Sequence, residues 1–240
     1  MPAVFQKRIA TLAIVWTCVV PAASFGQSPW REFMSKEDRF SANFPGEPVV
    51  TQMTWRSEHG ASVPARVYTV AQGPSKYSMT VVDYNLVKAQ LIENAKNCPP
   101  ATERCLGRTA FSGDGYWKND LRGAMVYAAF QFLKRDIKLT HYMWSHLGQG
   151  VEVNELQFIN NPDQTRTFVS IYMHHNILYV MEGTVPGNYP PPGLFTESIT
   201  LYEADGTRTD HGRVVFNGAE VDPNEVYVGR EGRGAGTPSR

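Results

Sequence analysis

"TRTFVSIYMHHNILYVMEGTV", residues 165–185, reads as two strands folded back on each other at a tight turn, His175-Asn176. The period on both sides of that turn is two, that of a strand whose side chains alternate between faces, and so short a connection joins antiparallel neighbours. Working outward, "KLTHYMWSH" (138–146) and "VEVNELQFI" (151–159) keep the same period, with a turn at "NNPDQ" (160–164). Three or four antiparallel strands are therefore expected in the second half.

The first half repeats the pattern. "RFSANF" (39–44) places Phe40, Ala42 and Phe44 on one face, and "KYSMTVVDY" (76–84) sets Tyr77, Met79 and Val81 against Ser78, Thr80 and Val82. Breaks fall at "PGEP" (45–48), "SEHGAS" (57–62) and "AQGPS" (71–75), where Gly or Pro turns the chain. Strands are expected over 39–44, 49–56, 63–71 and 76–84. Between the halves the period becomes helical. Asn85 is placed to cap "LVKAQLIENAKN" (86–97), with Val87, Leu91 and Ala95 on one stripe, ending before Pro99. "DLRGAMVYAAFQFLKRD" (120–136) aligns Leu121, Met125, Ala128 and Phe132, with Asp120 and Lys134-Arg135 at the ends the helix dipole favours. "NYPPPG" (188–193) is an extended linker and "LFTESITLY" (194–202) a short closing helix or turn. No internal repeat is visible. The sum is α+β: one domain, residues 27–218, with a central antiparallel sheet flanked by helices as an α/β sandwich.

The ends carry other signals. Lys7-Arg8, the apolar run from Ile9 to Ala23 and the small residues of "ASFG" (23–26) make the three regions of a secretory signal, so residues 1–26 are expected to be a cleaved signal peptide. Cleavage after Gly26 fits best, with Ala22 or Ala23 as the alternative. The run is 15 residues, short of the roughly 18–20 that span hydrocarbon. Trp16 and Thr17 stand before Cys18 where a lipoprotein signal needs small residues. Residues 219–240 include "GREGRGAG" (229–236) and lack apolar anchors after Val228, which predicts a flexible tail. Charge is balanced, 23 Lys and Arg against 23 Asp and Glu. That balance gives no footprint for nucleic acid or an anionic membrane.

The run "EDRFSANFPGEPV" (37–49), then "YSMTVVDY" (77–84), a helix, "KLTHYMWSHLGQGVEVNELQF" (138–158), "RTFVSIYMHHNILYVMEGTVP" (166–186) and "LFTES" (194–198) resemble small exported proteins of the PsbP/DcrB-like superfamily. The resemblance spans about residues 30–203. It implies a central antiparallel sheet sandwiched by helices, in accessory or binding proteins that work outside the cytoplasm or in partner complexes. It implies no catalytic residues. The loop "NCPPATERC" (97–105) stands outside the pattern.

Candidate chemistry is sparse. With Cys18, Cys98 and Cys105 are the only thiols, and in an oxidising compartment two cysteines across a Pro-Pro turn are expected to pair. Zinc would need two further close ligands, and no histidine lies between His59 and His141. A thioredoxin-type site would need C-x-x-C. His174 and His175 are adjacent, which on a regular strand points them to opposite faces, although at a hairpin turn they could meet. His141 and His146 likewise face apart. No G-x-S-x-G elbow, H-E-x-x-H pair or P-loop occurs, and the glycines of 229–236 neither follow a strand nor open a helix. No catalytic residue, metal ligand or cofactor is assigned from the sequence. Asp114 and Asp120 bracket the polar-aromatic "GYWKN" (115–119). Rigid aromatics outside the strands, Tyr116, Trp117 and Tyr189, are the candidate partner-binding residues.

Two classes of function fit. The first is an exported, non-catalytic binding or accessory protein of the envelope, periplasmic or secreted, meeting a protein or small ligand. The alternative is an exported hydrolase whose site is scattered along the chain. N-terminal sequencing of the exported form is expected to begin at Gln27. Alkylation under denaturing, non-reducing conditions is expected to label neither Cys98 nor Cys105; two labelled thiols would remove the staple.

Overall fold

The structure, a computed structural model, describes residues 30–96, 117–146 and 150–210. Along the first stretch run β1 (Arg31–Ser35), β2 (Phe40–Phe44), β3 (Val49–Arg56), β4 (Ser62–Gln72), β5 (Ser75–Asp83) and α1 (Val87–Lys96). Then come α2 (Trp117–Leu133), β6 (Ile137–His146), β7 (Glu152–Asn160), β8 (Arg166–His174), β9 (Ile177–Val185), α3 (Gly193–Thr196) and β10 (Thr200–Leu201). The seven expected strands between 49 and 185 and the one at 39–44 are found within a residue of their expected bounds.

β8 and β9 lie inside a seven-stranded antiparallel sheet of order β3-β4-β5-β9-β8-β7-β6. Val169, Ile171 and Met173 of β8 and Leu178 and Val180 of β9 fill one core, while Tyr172, Tyr179 and Met181 fill a second on the opposite face. A sheet that is apolar on both faces needs two covers. α1 and α2 make the first, with Leu121, Met125, Ala128 and Phe132 packed over Leu156, Phe158 and Ile171. The second is a separate three-stranded sheet, β1-β2-β10, aided by α3. Phe40 and Phe44 of β2 and Phe195 of α3 are fully buried there. Their rings meet those of the large sheet and one another, Phe40 to Tyr68 at 5.1 Å and Phe44 to Phe195 at 5.0 Å between centroids. Each such side chain contributes about 1.5–3 kcal/mol by leaving water. α3 can sit close because Gly183 of β9 has no side chain: a Cβ there would stand 2.8 Å from Pro192.

This corrects the expected sandwich. Helices flank one face, and the other is covered chiefly by a second sheet, so the protein is richer in sheet than an even α+β sandwich. The alternation of Phe40, Ala42 and Phe44 shows which face of β2 is buried but not which strands it pairs with. Its neighbours are β1 and the distant β10, where Ser41 pairs with Thr200. Two helix starts also differ. A 3-10 turn at Tyr84–Leu86 precedes α1, and Asp83, not Asn85, caps it by accepting from the Asn85 amide at 2.9 Å. Asp83 ends β5 in extended geometry, the backbone that an N-cap requires. α2 begins at Trp117, earlier than Asp120, because Trp117 itself belongs to the core.

One carboxylate ties the second cover down. Asp38, in the β1–β2 turn, is 3% exposed. It accepts from Arg66 Nε at 2.7 Å and from the Tyr68 hydroxyl at 2.5 Å, both on β4, and Tyr179 of β9 donates to its backbone carbonyl at 2.8 Å. Burial, first, and the bond to Asp38 push the Tyr68 hydroxyl up to about 12. Removing the carboxylate would leave the Tyr68 hydroxyl with Ser35 alone and the half-buried guanidinium with the exposed Glu37 alone. Asp38→Ala is therefore expected to lower the unfolding free energy by about 3 kcal/mol with an unchanged urea m-value. Glu37→Ala, which removes the exposed partner of the same arginine, is expected to cost less than about 1 kcal/mol.

Candidate functional site

The turn between β8 and β9 is a two-residue connection in which both central residues are left-handed, His175 at φ 47° and Asn176 at φ 59°. That is the geometry whose twist matches the flanking strands, and histidine and asparagine tolerate it better than most residues. The turn is clamped against the 3-10 segment after β5. The Tyr84 amide donates to the Asn176 carbonyl at 2.9 Å, and Asn85 Nδ2 donates to the His175 carbonyl at 3.1 Å. Bending at the turn removes the opposite-face rule of a regular strand. The His174 and His175 rings accordingly lie side by side, with centroids 4.0 Å apart.

Both rings meet the segment after β10. There the Glu203 amide donates to the Thr207 carbonyl at 2.8 Å, Gly206 takes φ 85°, and the Thr209 amide donates to the Leu201 carbonyl at 2.9 Å. This strap presents Glu203 and Thr209 to the histidines. His175 Nε2 is 2.5 Å from Glu203 Oε2, and His174 Nε2 is 3.4 Å from Glu203 Oε1. Thr209 donates its only hydroxyl proton to Glu203 Oε1 at 2.9 Å, so the bond of 2.9 Å between Thr209 Oγ1 and His174 Nε2 is donated by the imidazole. His174 and Thr209 are buried, while His175 and Glu203 are part-exposed. Burial works against the Glu203 charge, but the bonds from His175 and Thr209 and the nearby imidazoles outweigh it and hold its carboxyl below the usual glutamate range.

Beside this cluster the seam between the two sheets opens into two hollows. One, of about 350 Å³, is lined by Lys36, Arg39, Tyr202, Glu203 and Asp205 among others; the second, of about 400 Å³, by Arg39, Arg66, Asp83 and Ile177 among others. Arg39 belongs to both. It closes the β1–β2 turn at φ 54°, and its carbonyl accepts from the Tyr202 amide at 2.9 Å, which fixes its backbone.

A second polar cluster lies on the helix face. Asp120, 1% exposed, accepts from Ser57 Oγ and from the His59 amide at 3.2 Å, and Ser57 Oγ in turn accepts from the Ala61 amide at 2.9 Å. Burial raises the Asp120 carboxyl above its usual range. This is a clamp between α2 and the β3–β4 turn. Ser57 is 1% exposed, so its hydroxyl is not presented to a substrate.

Of the candidate partner-binding residues, Trp117 and Tyr189 are among the described ones. Trp117 is 6% exposed, within the helix-face core and beneath Lys88 Nζ at 4.6 Å from the ring centre. It offers no ring to a partner. Tyr189 is 42% exposed and follows β9 at the end of the sheet opposite the β8–β9 turn. Tyr116, Cys98, Cys105, the signal peptide and the tail lie outside the described residues. The histidine pair was legible as a possibility at the hairpin, whereas Glu203 and Thr209 were not singled out. "ADGT" (204–207), an Asp-Gly turn, was the available signal for the strap.

No protein-family model matches the chain, and no curated protein matches its sequence. Among solved structures, it is similar to the solution structure of cyanobacterial PsbP (CyanoP) from Synechocystis sp. PCC 6803. Sequence identity is 11%, with 77% of this chain and 99% of that one covered, at a TM-score of 0.41. A likeness of that size concerns overall shape and carries nothing about ligand or activity. Among the described residues, no helix is long and apolar enough to cross a membrane.

A carboxyl held below its ordinary range contributes stability that is present above the unfolded-state value, about 4.3, and disappears as pH falls through the folded-state value. The thermal midpoint of the native protein is therefore expected to exceed that of Glu203→Gln at pH 6, with the gap shrinking below about pH 4. A gap that stays constant to pH 3 would show that the Glu203 charge adds nothing to the fold.

Proposed function

We propose that the chain is an exported, non-catalytic binding or accessory module of the cell envelope, periplasmic or secreted once residues 1–26 are removed, and that it takes an anionic group in the seam beside Arg39. Arg39 carries this reading. Its side chain is shared by the walls of both hollows, and among the described residues its guanidinium makes no ion pair or hydrogen bond. The acidic groups nearby each have partners of their own: Glu203 has His175 and Thr209, Asp205 has Thr207, Asp38 and Glu37 have Arg66, and Asp83 has Asn85. Lys36, in the same wall as Arg39, also makes no ion pair among the described residues. A hydrogen bond from Thr207 leaves the Asp205 charge in place, so what Arg39 and Lys36 offer an anion is donors not yet used among the described residues rather than a net positive field. A guanidinium fork suits a carboxylate or phosphate, which it holds through two parallel bonds. The hydrolase alternative finds no support in Ser57, which is buried.

Calorimetric titration with inorganic phosphate, citrate and a glutamate-rich peptide tests the reading and separates small anions from an acidic protein segment. Saturable binding that weakens with added salt and falls at least tenfold in Arg39→Ala is expected. Absence of saturable binding to all three, or equal affinity in Arg39→Ala, would overturn it.

A further inference from the structure

We propose that His174, His175 and Glu203 form a binding site for a divalent first-row transition cation, zinc foremost. The site uses residues other than Arg39 and goes beyond the anion-binding reading. One ligand atom from each of the three side chains lies within 4.8 Å of the others. The donor set is chemically selective. Two imidazoles with one carboxylate suit zinc and its neighbours, whereas calcium and magnesium prefer all-oxygen surroundings.

Two of the donor separations can be set against those of a bound ion. Tetrahedral bonds of about 2.0–2.1 Å place neighbouring donor atoms about 3.3–3.4 Å apart. His174 Nε2 and Glu203 Oε1 stand at 3.4 Å. His175 Nε2 and Glu203 Oε2, at 2.5 Å, are instead at the separation of a shared proton. A cation takes the place of that proton when the pair opens by about 0.8 Å, to the tetrahedral separation. The part-exposed His175 side chain is the one with room to make that move. The Nε2 protons now donated to Glu203 and Thr209 pass to Nδ1 or to solvent, leaving both nitrogen lone pairs for the metal.

Preorganisation distinguishes this cluster from scattered surface histidines. The turn carrying both rings is fixed by backbone and asparagine bonds to residues 84 and 85, and the strap carrying Glu203 is closed by its own hydrogen bonds. Thr209 orients the carboxylate by donating to it, the role that supporting hydrogen bonds play around metal ligands. Glu203 also lines the hollow of about 350 Å³, which gives an ion its way in.

The test uses purified protein stripped with a chelator and dialysed, then titrated with zinc and with cobalt(II). One equivalent of zinc is expected, with a thermal midpoint that rises with free zinc and does not respond to calcium or magnesium. Cobalt is expected to give visible ligand-field absorption of a nitrogen-rich site. His175→Ala, in a part-exposed turn position, and Glu203→Gln are each expected to weaken zinc at least tenfold and to abolish the cobalt spectrum. His174 is buried, so its involvement is read instead from paramagnetic shifts of two imidazoles in the cobalt form. Arg39→Ala is expected to leave the zinc isotherm unchanged, so this site and the anion site fail separately. Absence of stoichiometric zinc binding, or binding that survives both His175→Ala and Glu203→Gln, would overturn the proposal.

Discussion

Two central strands that are apolar on both faces cannot rest until each face is covered, and most of the structure answers that demand. On one side the answer is helical, because α2 places a stripe of Leu121, Met125, Ala128 and Phe132 against β7 and β8. On the opposite side, short strands from opposite ends of the described chain, β1-β2 and β10, combine into a small sheet that lays Phe40, Phe44 and Leu201 over Tyr77, Met79 and Tyr179. The seam where two sheets of unequal size meet is where the hollows and the histidine cluster lie. Function, on this view, is located by a mismatch of layers.

Apolar packing is not directional, so it does not by itself fix how one layer sits on another. Three carboxylates supply the direction. Asp38 joins the β1–β2 turn to β4, Asp120 joins α2 to the β3–β4 turn, and Glu203 joins the strap after β10 to the β8–β9 turn. The partners are 28, 63 and 28 residues apart in sequence. A buried carboxylate accepts several bonds at once and is costly to leave unmatched, so each one penalises any docking that would strand it. Asp38 and Asp120 use that property on closed, buried contacts. Glu203 stands at the same kind of junction but faces a hollow, and there a clamp doubles as a set of ligands.

The strands were legible from their lengths and from the turns between them, and alternation is clearest in β5, whose Tyr77, Met79 and Val81 are buried. Their grouping into two sheets was not, since pairing β2 with β10 depends on contacts across the whole domain. The cap ahead of α1 was misplaced by two residues for a physical reason: Asp83 and Asn85 are both competent caps, and only the end of β5 decides between them. For the site, adjacency of His174 and His175 was visible while their convergence required the left-handed turn. Glu203 and Thr209 are 28 and 35 residues further along, beyond any spacing rule. Aromatic residues between strands were a misleading guide in one instance, because the large apolar area that suits Trp117 to a partner suits it equally to the core.

The strap from Tyr202 to Thr209 has a consequence for when the site exists. A chain emerging from synthesis has every strand of the large sheet before residue 200 is made, and the histidine turn with them. Glu203 and Thr209 come later in the chain and close over the hairpin only when the strap docks. The cluster is thus absent from any form in which the strap is undocked. A ligand bound there recognises only the docked form, and by mass action holds the strap in place.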